Sequence, residues 1–240
     1  MGMFKVSIFQ KSLPNGLNLS IYKKLASLKS DFLIMPEFFY ADSSLGCVKD
    51  AMERGQYALD WLLKLNDSYS GVIIGGSLFH REAETCYAAV PIISEGQVVD
   101  WYRKRGLDKE ETPFVTPGHE PGIYLLRGQR FGVLIGKDAL NADYYKELAN
   151  QGIRLIFSIS NVTPETINGS SIDEWENEIF VKPARDHQLN IIKTCSTGTL
   201  FGQSLIGRSM VITPNGITWR VSSNETDQEI LKTVMVTTSG

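Results

Sequence analysis

The sequence is poor in the residues that build disulfide frameworks and metal centres. Its 240 residues hold three cysteines (Cys47, Cys86, Cys195) and three histidines (His80, His119, His187). The cysteine spacing is wide and irregular, which argues against a disulfide scaffold or a zinc module, and free thiols of this kind suit a reducing cytoplasm. The histidines are far apart and form no metal-ligand spacing. No apolar run approaches the roughly 18 residues of a membrane span. The stretch Met1-Gly-Met-Phe-Lys-Val-Ser-Ile-Phe-Gln10 has no long apolar segment of the signal-peptide kind, and Gly2 lacks the downstream Ser or Thr that myristoylation needs. A net charge of −3 gives no electrostatic reason to expect nucleic acid or an anionic membrane as partner. A phosphate-cradling loop is missing too, since Gly71-Val-Ile-Ile-Gly75-Gly76 reads as a strand with close backbone packing. The expectation is a cytoplasmic protein with no metal, no cofactor, no nucleic acid and no membrane partner.

What is present is an ordinary globular composition, 42% hydrophobic and 21% charged, enough to bury one large α/β core or two small ones. Short strands are expected at 4–10, 31–35, 72–79, 85–93 and 97–102, with helical periods over 17–30 and 49–66. A polar loop rich in Pro and Gly, 103–122, separates this half from a second of similar plan. There the pattern predicts strands at 124–126, 130–135, 154–159, 190–194, 204–213, 217–221 and 230–236. Helices are expected at 143–151, capped by Gly152, and at 171–188, opened by a capping box at Ser171-Ile-Asp-Glu174 and kinked at Pro183. Strands alternating with helices, in two similar halves, point to an α/β layered fold.

Three segments, each just after a strand-like run, carry the chemistry. Glu37 follows Asp31-Phe-Leu-Ile-Met-Pro beside Phe38, Phe39 and Tyr40, a partly desolvated place that raises a carboxyl pKa and suits proton transfer. A solvated loop acid is the plain alternative. Lys104 lies in Tyr102-Arg-Lys-Arg105, where a fixed cation can stabilise developing negative charge, although a basic cluster is also a common solvated edge. Glu110 and Glu111 are acids in the following loop, either of which fits a further role. The run Phe131-Gly-Val-Leu-Ile135 ends at Gly136-Lys137-Asp138, a strand-to-helix junction of the kind that holds up a nucleophile. Here that position has no side chain.

Together these segments resemble the Glu–Lys–Cys framework of the nitrilase, or carbon–nitrogen hydrolase, superfamily. The resemblance continues in Ala184-Arg185-Asp186, Gly202-Gln203-Ser204 and Thr213-Pro214-Asn215-Gly216, and it covers about residues 4 to 236. It implies a four-layer αββα sandwich spanning residues 1–240 as one domain. It also implies a homodimer formed through the helices at 143–151 and 171–188. By the same resemblance Glu37 is the general base, Lys104 the oxyanion stabiliser and Glu111 the second acid, with Glu110 as its alternative. Gly136 stands where the family has its catalytic cysteine. The chain departs from the pattern at the neighbours as well: Lys137 replaces an aromatic residue and Asn141-Ala142-Asp143 replaces Phe-Pro-Glu. Gly106 stands where a histidine is common.

Loss of a covalent nucleophile typically costs on the order of 10⁶ in turnover. Lys137 is a poor substitute because neighbours on an extended strand face opposite ways. Cys195 has a route to the site but reads as a buried, inert thiol. Two functions follow. One is a pseudoenzyme that binds a small amide or carboxylate-like ligand, or a protein partner, around a slightly enlarged void. The other is a carbon–nitrogen hydrolase, either active by a noncanonical route or inactivated by engineering, that acts on a small amide. The altered neighbours of Gly136 favour natural drift over engineering. A purely structural role is the remaining option.

Overall fold

The computed structural model describes residues 2–238. The first half runs β1 (Gly2–Ser12), α1 (Leu19–Ala26), β2 (Phe32–Ile34), α2 (Val48–Glu53), α3 (Gly55–Asn66), β3 (Val72–Ile74), β4 (Leu78–Glu82), β5 (Thr85–Ser94) and β6 (Gln97–Arg103). After the polar loop come β7 (Ile123–Leu126), β8 (Gln129–Ile135), α4 (Ala142–Asn150), β9 (Leu155–Ile159), α5 (Pro164–Ile167), α6 (Ile172–Glu176) and α7 (Lys182–His187). The chain then continues through β10 (Asn190–Thr194), β11 (Ser196–Leu200), β12 (Gln203–Leu205), β13 (Met210–Thr213), β14 (Gly216–Arg220) and β15 (Ile230–Thr238).

Two sheets result. The larger has the order β12-β11-β1-β2-β3-β5-β4, with β15 antiparallel on β1 and β6 on β5; the smaller has the order β14-β13-β10-β9-β8-β7. Side chains alternate between two cores as strand geometry demands. Phe32 and Ile34 of β2, and Val72 and Ile74 of β3, lie in the core shared by the sheets, whereas Leu33 and Ile73 face Ile21, Leu25 and Leu62 of α1 and α3. On the other side Tyr145 and Leu148 of α4 and Ala184 of α7 close over the smaller sheet. The layers are therefore helix, sheet, sheet, helix, the expected αββα sandwich. Phe32 from one sheet meets Phe131 and Phe157 from the other with ring centroids 5.5 and 5.2 Å apart, an aromatic lock across the middle.

Several expected elements are divided. The helix at 49–66 is two helices, because the Arg54 N–H bonds back to Ala51 and Met52 in a tighter turn that ends α2. The strand at 72–79 breaks at Gly76, whose φ of +67° lets its backbone pass Pro36 where a Cβ would stand 2.2 Å from the Pro36 carbonyl oxygen. The strand at 204–213 is really β12 and β13, which belong to different sheets. The helix at 171–188 keeps its capping box at Ser171 and Glu174, but it passes through a π-helical turn at Asn177–Val181 just before Pro183. Proline offers no N–H to the preceding turn, and the wider turn absorbs that loss. Strand β11 and helix α5 have no counterpart among the sequence expectations.

Candidate active site

Glu37, Lys104 and Gly136 all lie just beyond the carboxyl ends of strands, β2, β6 and β8 respectively, and the two sheets bring those ends together. The Glu37 segment is tightly held. Phe38 sits at φ +51° with its N–H directed at Ser77, and its ring packs on Tyr40, Phe79 and Phe201. The Ser196 hydroxyl donates to the Glu37 carbonyl oxygen at 2.9 Å, and the Asn161 backbone N–H donates to Glu37 Oε2 at 2.7 Å. Burial pushes the Glu37 carboxyl up to about 7, against the opposing pull of the Lys104 ammonium and the Asn161 N–H.

Lys104 is 1% exposed. Its ammonium donates to Asp108 Oδ2 at 2.6 Å and to Glu111 Oε2 at 2.8 Å. Burial alone would lower a lysine, but Glu111, Glu37 and Asp108 outweigh it, so Lys104 is held above the usual lysine value and stays charged. Of the two acids in the loop it is Glu111 that is buried against Lys104, and it also accepts the Asp108 N–H at 2.9 Å; Glu110 is exposed at the mouth of the cavity.

Gly136 has φ +51° and opens a short 3₁₀ turn, Gly136–Leu140. A Cβ built there would stand 2.7 Å from Lys104 Nζ and 3.1 Å from Glu37 Oε1. The lysine head thus lies directly beside the glycine, which itself lines the cavity. Glu37, Lys104 and Gly136 do converge. Lys137 turns outward, its ammonium donating to the Leu107 carbonyl 3.0 Å away and lying 3.4 Å from Asp108 Oδ1.

Sequence reasoning passed over four residues that build the site. Asp108, four residues after Lys104, is the second carboxylate on that ammonium. Asp138 is fully buried and accepts from the Tyr102 hydroxyl (2.7 Å), the Arg105 N–H (2.8 Å) and the Gly106 N–H (2.6 Å), tying the Lys104 segment to the Gly136 turn. Burial raises its carboxyl above the ordinary value despite those donors. Asn161 follows the end of β9 and braces Glu37 through its backbone, while its side-chain Oδ1 accepts the Ser196 N–H at 2.7 Å. Its position just past a strand end, like that of Glu37, was the available signal. Ser196 opens β11, the strand that went unrecognised. Cys195 is buried and does not line the cavity; its sulfur accepts the Arg208 N–H at 3.0 Å.

The cavity in front of these groups has a volume of about 270 Å³. Its lining is mixed, polar at Glu37, Asp108, Glu111 and Asn161 and apolar at Phe38, Val48, Leu200 and Phe201. No group of three or more His, Cys, Asp or Glu among the described residues is arranged to hold a metal ion. No helix among them is long and apolar enough to cross a membrane.

A two-sheet sandwich with a carboxylate, a lysine and a strand-end turn at its centre defines a class. The carbon-nitrogen hydrolase family model matches residues 16–238, and the chain belongs to that family. It is similar to the glutamine-dependent NAD(+) synthetase of Acinetobacter baylyi, with 25% identity over 142 residues, 56% of this chain. That match spans only 26% of the synthetase. Among solved structures, the carbon-nitrogen hydrolase from Helicobacter pylori G27 superposes with a TM-score of 0.82 at 16% identity, covering 98% of this chain and 89% of that one. The glutamine-dependent NAD+ synthetase from Acinetobacter baumannii gives 0.79 at 20% identity, covering 98% of this chain and 45% of that one. Likenesses at this identity establish the fold.

Proposed function

We propose that this chain is a pseudoenzyme of the carbon–nitrogen hydrolase family, binding a small carbonyl ligand in the cavity without cleaving it. One observation carries the reading: at residue 136 there is no side chain, and Lys104 Nζ comes within 2.7 Å of the place where a Cβ would be. Acyl transfer needs a nucleophile poised in front of the base, and the atom nearest that place is an ammonium nitrogen that three carboxylates keep protonated. Glu37, Lys104 and Glu111 serve in this reading as ligand contacts and as the supports of those contacts. The similarity to glutamine-dependent synthetases makes the carboxamide of glutamine a natural probe beside simpler amides.

A second reading is a hydrolase that works without a covalent intermediate. It draws on Glu37, a buried carboxyl pushed up to about 7 and able to accept a proton from water at neutral pH. Ammonia release from glutamine and propionamide by the chain and by Gly136→Cys separates the two. The pseudoenzyme reading expects turnover by the chain indistinguishable from buffer. An ordinary enzymatic rate from the unaltered chain overturns it. Gly136→Cys alone is expected to stay inactive, since its side chain arrives where Lys104 already sits; recovery of activity by that single change would point to recent or deliberate loss of the thiol.

A further inference from the structure

The cavity in front of Gly136 carries unbalanced charge. Glu37, Asp108, Glu110 and Glu111 line it, and Lys137 is the one basic residue among the lining residues. Lys104 lies beside Gly136, so at pH 8, above the Glu37 value of about 7, four carboxylates stand against two ammonium groups. Both ammonium groups are already engaged. Lys104 donates to Asp108 Oδ2 at 2.6 Å and to Glu111 Oε2 at 2.8 Å, and Lys137 Nζ lies 3.4 Å from Asp108 Oδ1. Glu37 and Glu110 have no ion-pair partner among the described residues, and Lys109, next to Glu110 in the chain, does not line the cavity. Glu37 is only 6% exposed, and its Oε2 accepts the Asn161 N–H at 2.7 Å. Its Oε1 accepts no hydrogen bond among the described residues, yet it is not one of the enclosed unpartnered atoms, which are Arg103 Nε, Ser160 Oγ and Asn161 Nδ2. That oxygen is therefore open to the cavity that Glu37 lines. A carboxylate oxygen in so buried a residue is costly to leave without a donor, and is ordinarily met by water or by a ligand.

We propose that the ligand of this cavity is an organic cation, a small carbonyl compound with an ammonium group that is drawn in by the uncompensated carboxylates of Glu37 and Glu110. The inference rests on the reading that the cavity binds a small carbonyl ligand, and adds the charge of that ligand. A cleft lined mainly by one sign of charge concentrates the opposite ion, and its low-dielectric walls strengthen the attraction. The rings of Phe38 and Phe201, 5.3 Å apart, also line the cavity and add surfaces that attract an ammonium. An anionic ligand would be repelled by the same carboxylates. Lys137, held between Asp108 and the Leu107 carbonyl, is not free to receive it.

Three probes of matched length share a carboxamide and differ at the other end: 4-aminobutanamide carries an ammonium, pentanamide a methyl and succinamate a carboxylate. They are titrated at pH 8 and low salt into the whole chain and followed by protein NMR shifts. The parent is expected to bind 4-aminobutanamide about tenfold more tightly than pentanamide, and succinamate least, a preference that shrinks as salt is raised. Glu110 is exposed, so Glu110→Gln is expected to fold as the parent does; it should cut the preference about threefold and leave pentanamide affinity unchanged. Lys137→Gln should increase the preference. A merely structural role of Glu110 would weaken all three probes alike. An unchanged preference in Glu110→Gln overturns the part given to Glu110. Pentanamide bound as tightly as 4-aminobutanamide by the parent, or succinamate bound best, overturns the inference and leaves the binding reading intact. Failure of all three to bind overturns the binding reading and this inference together.

Discussion

Gly136 is demanding in two ways at once. Its φ of +51° lies in the left-handed region, and a side chain there meets the head of Lys104. Gly136→Ala is therefore expected to destabilise the protein by about 1–3 kcal/mol in urea unfolding, the usual cost of a non-glycine residue held in that conformation. No loss would mean that Lys104 retracts freely and the turn relaxes. Glu37 makes a second prediction, in pH. Its folded value of about 7 stands above the ordinary 4.5, so its contribution to stability is fully present below 4.5 and is lost as pH rises through 7. Glu37→Gln removes the titration and keeps an acceptor for the Asn161 N–H. Measured against the parent, the variant should gain about 2–3 kcal/mol in relative stability between pH 5 and pH 8, at 1.36 kcal/mol per unit. A flat difference across that range would show that Glu37 does not titrate as a buried carboxyl.

At the scale of elements, the loop that carries Lys104 is fastened to the Gly136 turn by one carboxylate. Asp138→Ala leaves the Tyr102 hydroxyl and two backbone N–H groups without their acceptor. We expect a loss of about 3 kcal/mol or more, together with weakened binding of any ligand that needs Lys104 in place. A loss below 1 kcal/mol would place the anchor elsewhere. Elements with a clear period or cap were readable in the sequence: α1 from Ile21 and Leu25, α4 with Gly152 after it, and the start of α6 from Ser171 and Glu174. Glu37, Lys104 and Gly136 were readable because each ends an apolar run. What escaped depends on partners distant in the chain. The stretch 204–213 is interrupted at Gly207-Arg208-Ser209, a local sign of the break, but only distant partners decide that Leu205 pairs with Gly198 in one sheet and Met210 with Lys193 in the other. Asn161 looks like a loop polar residue until Glu37 arrives beside it from another part of the chain, whereas Asp108 lies only four residues from Lys104 and is hidden by the irregular loop that turns it back onto that ammonium.

Across the whole molecule, the two sheets are joined by a direct chain crossing beside Glu37. Strand β10 belongs to the smaller sheet and β11 to the larger, and Cys195 alone separates them. The Thr194 hydroxyl donates to the Phe9 carbonyl oxygen in the opposite sheet at 2.9 Å, and the Ser196 N–H reaches Asn161 at 2.7 Å. Amide hydrogen exchange at Cys195 and Ser196 should therefore proceed only through global unfolding, more slowly than in β14 at the outer edge of the smaller sheet. Exchange at Ser196 as fast as in β14 would show that this junction opens locally.

The pairing of β15 with β1 has a consequence for the order in which the molecule is made. Gly2 faces Thr238 and Gln10 faces Ile230, so β1 finds its antiparallel neighbour in a strand synthesised more than 200 residues after it. Strands β11 and β12 of the same sheet also arrive late. A growing chain that has released β1 but not yet β11 and β15 therefore displays an open flank of β1 to its surroundings, and completion of the larger sheet waits on contacts more than 200 residues apart.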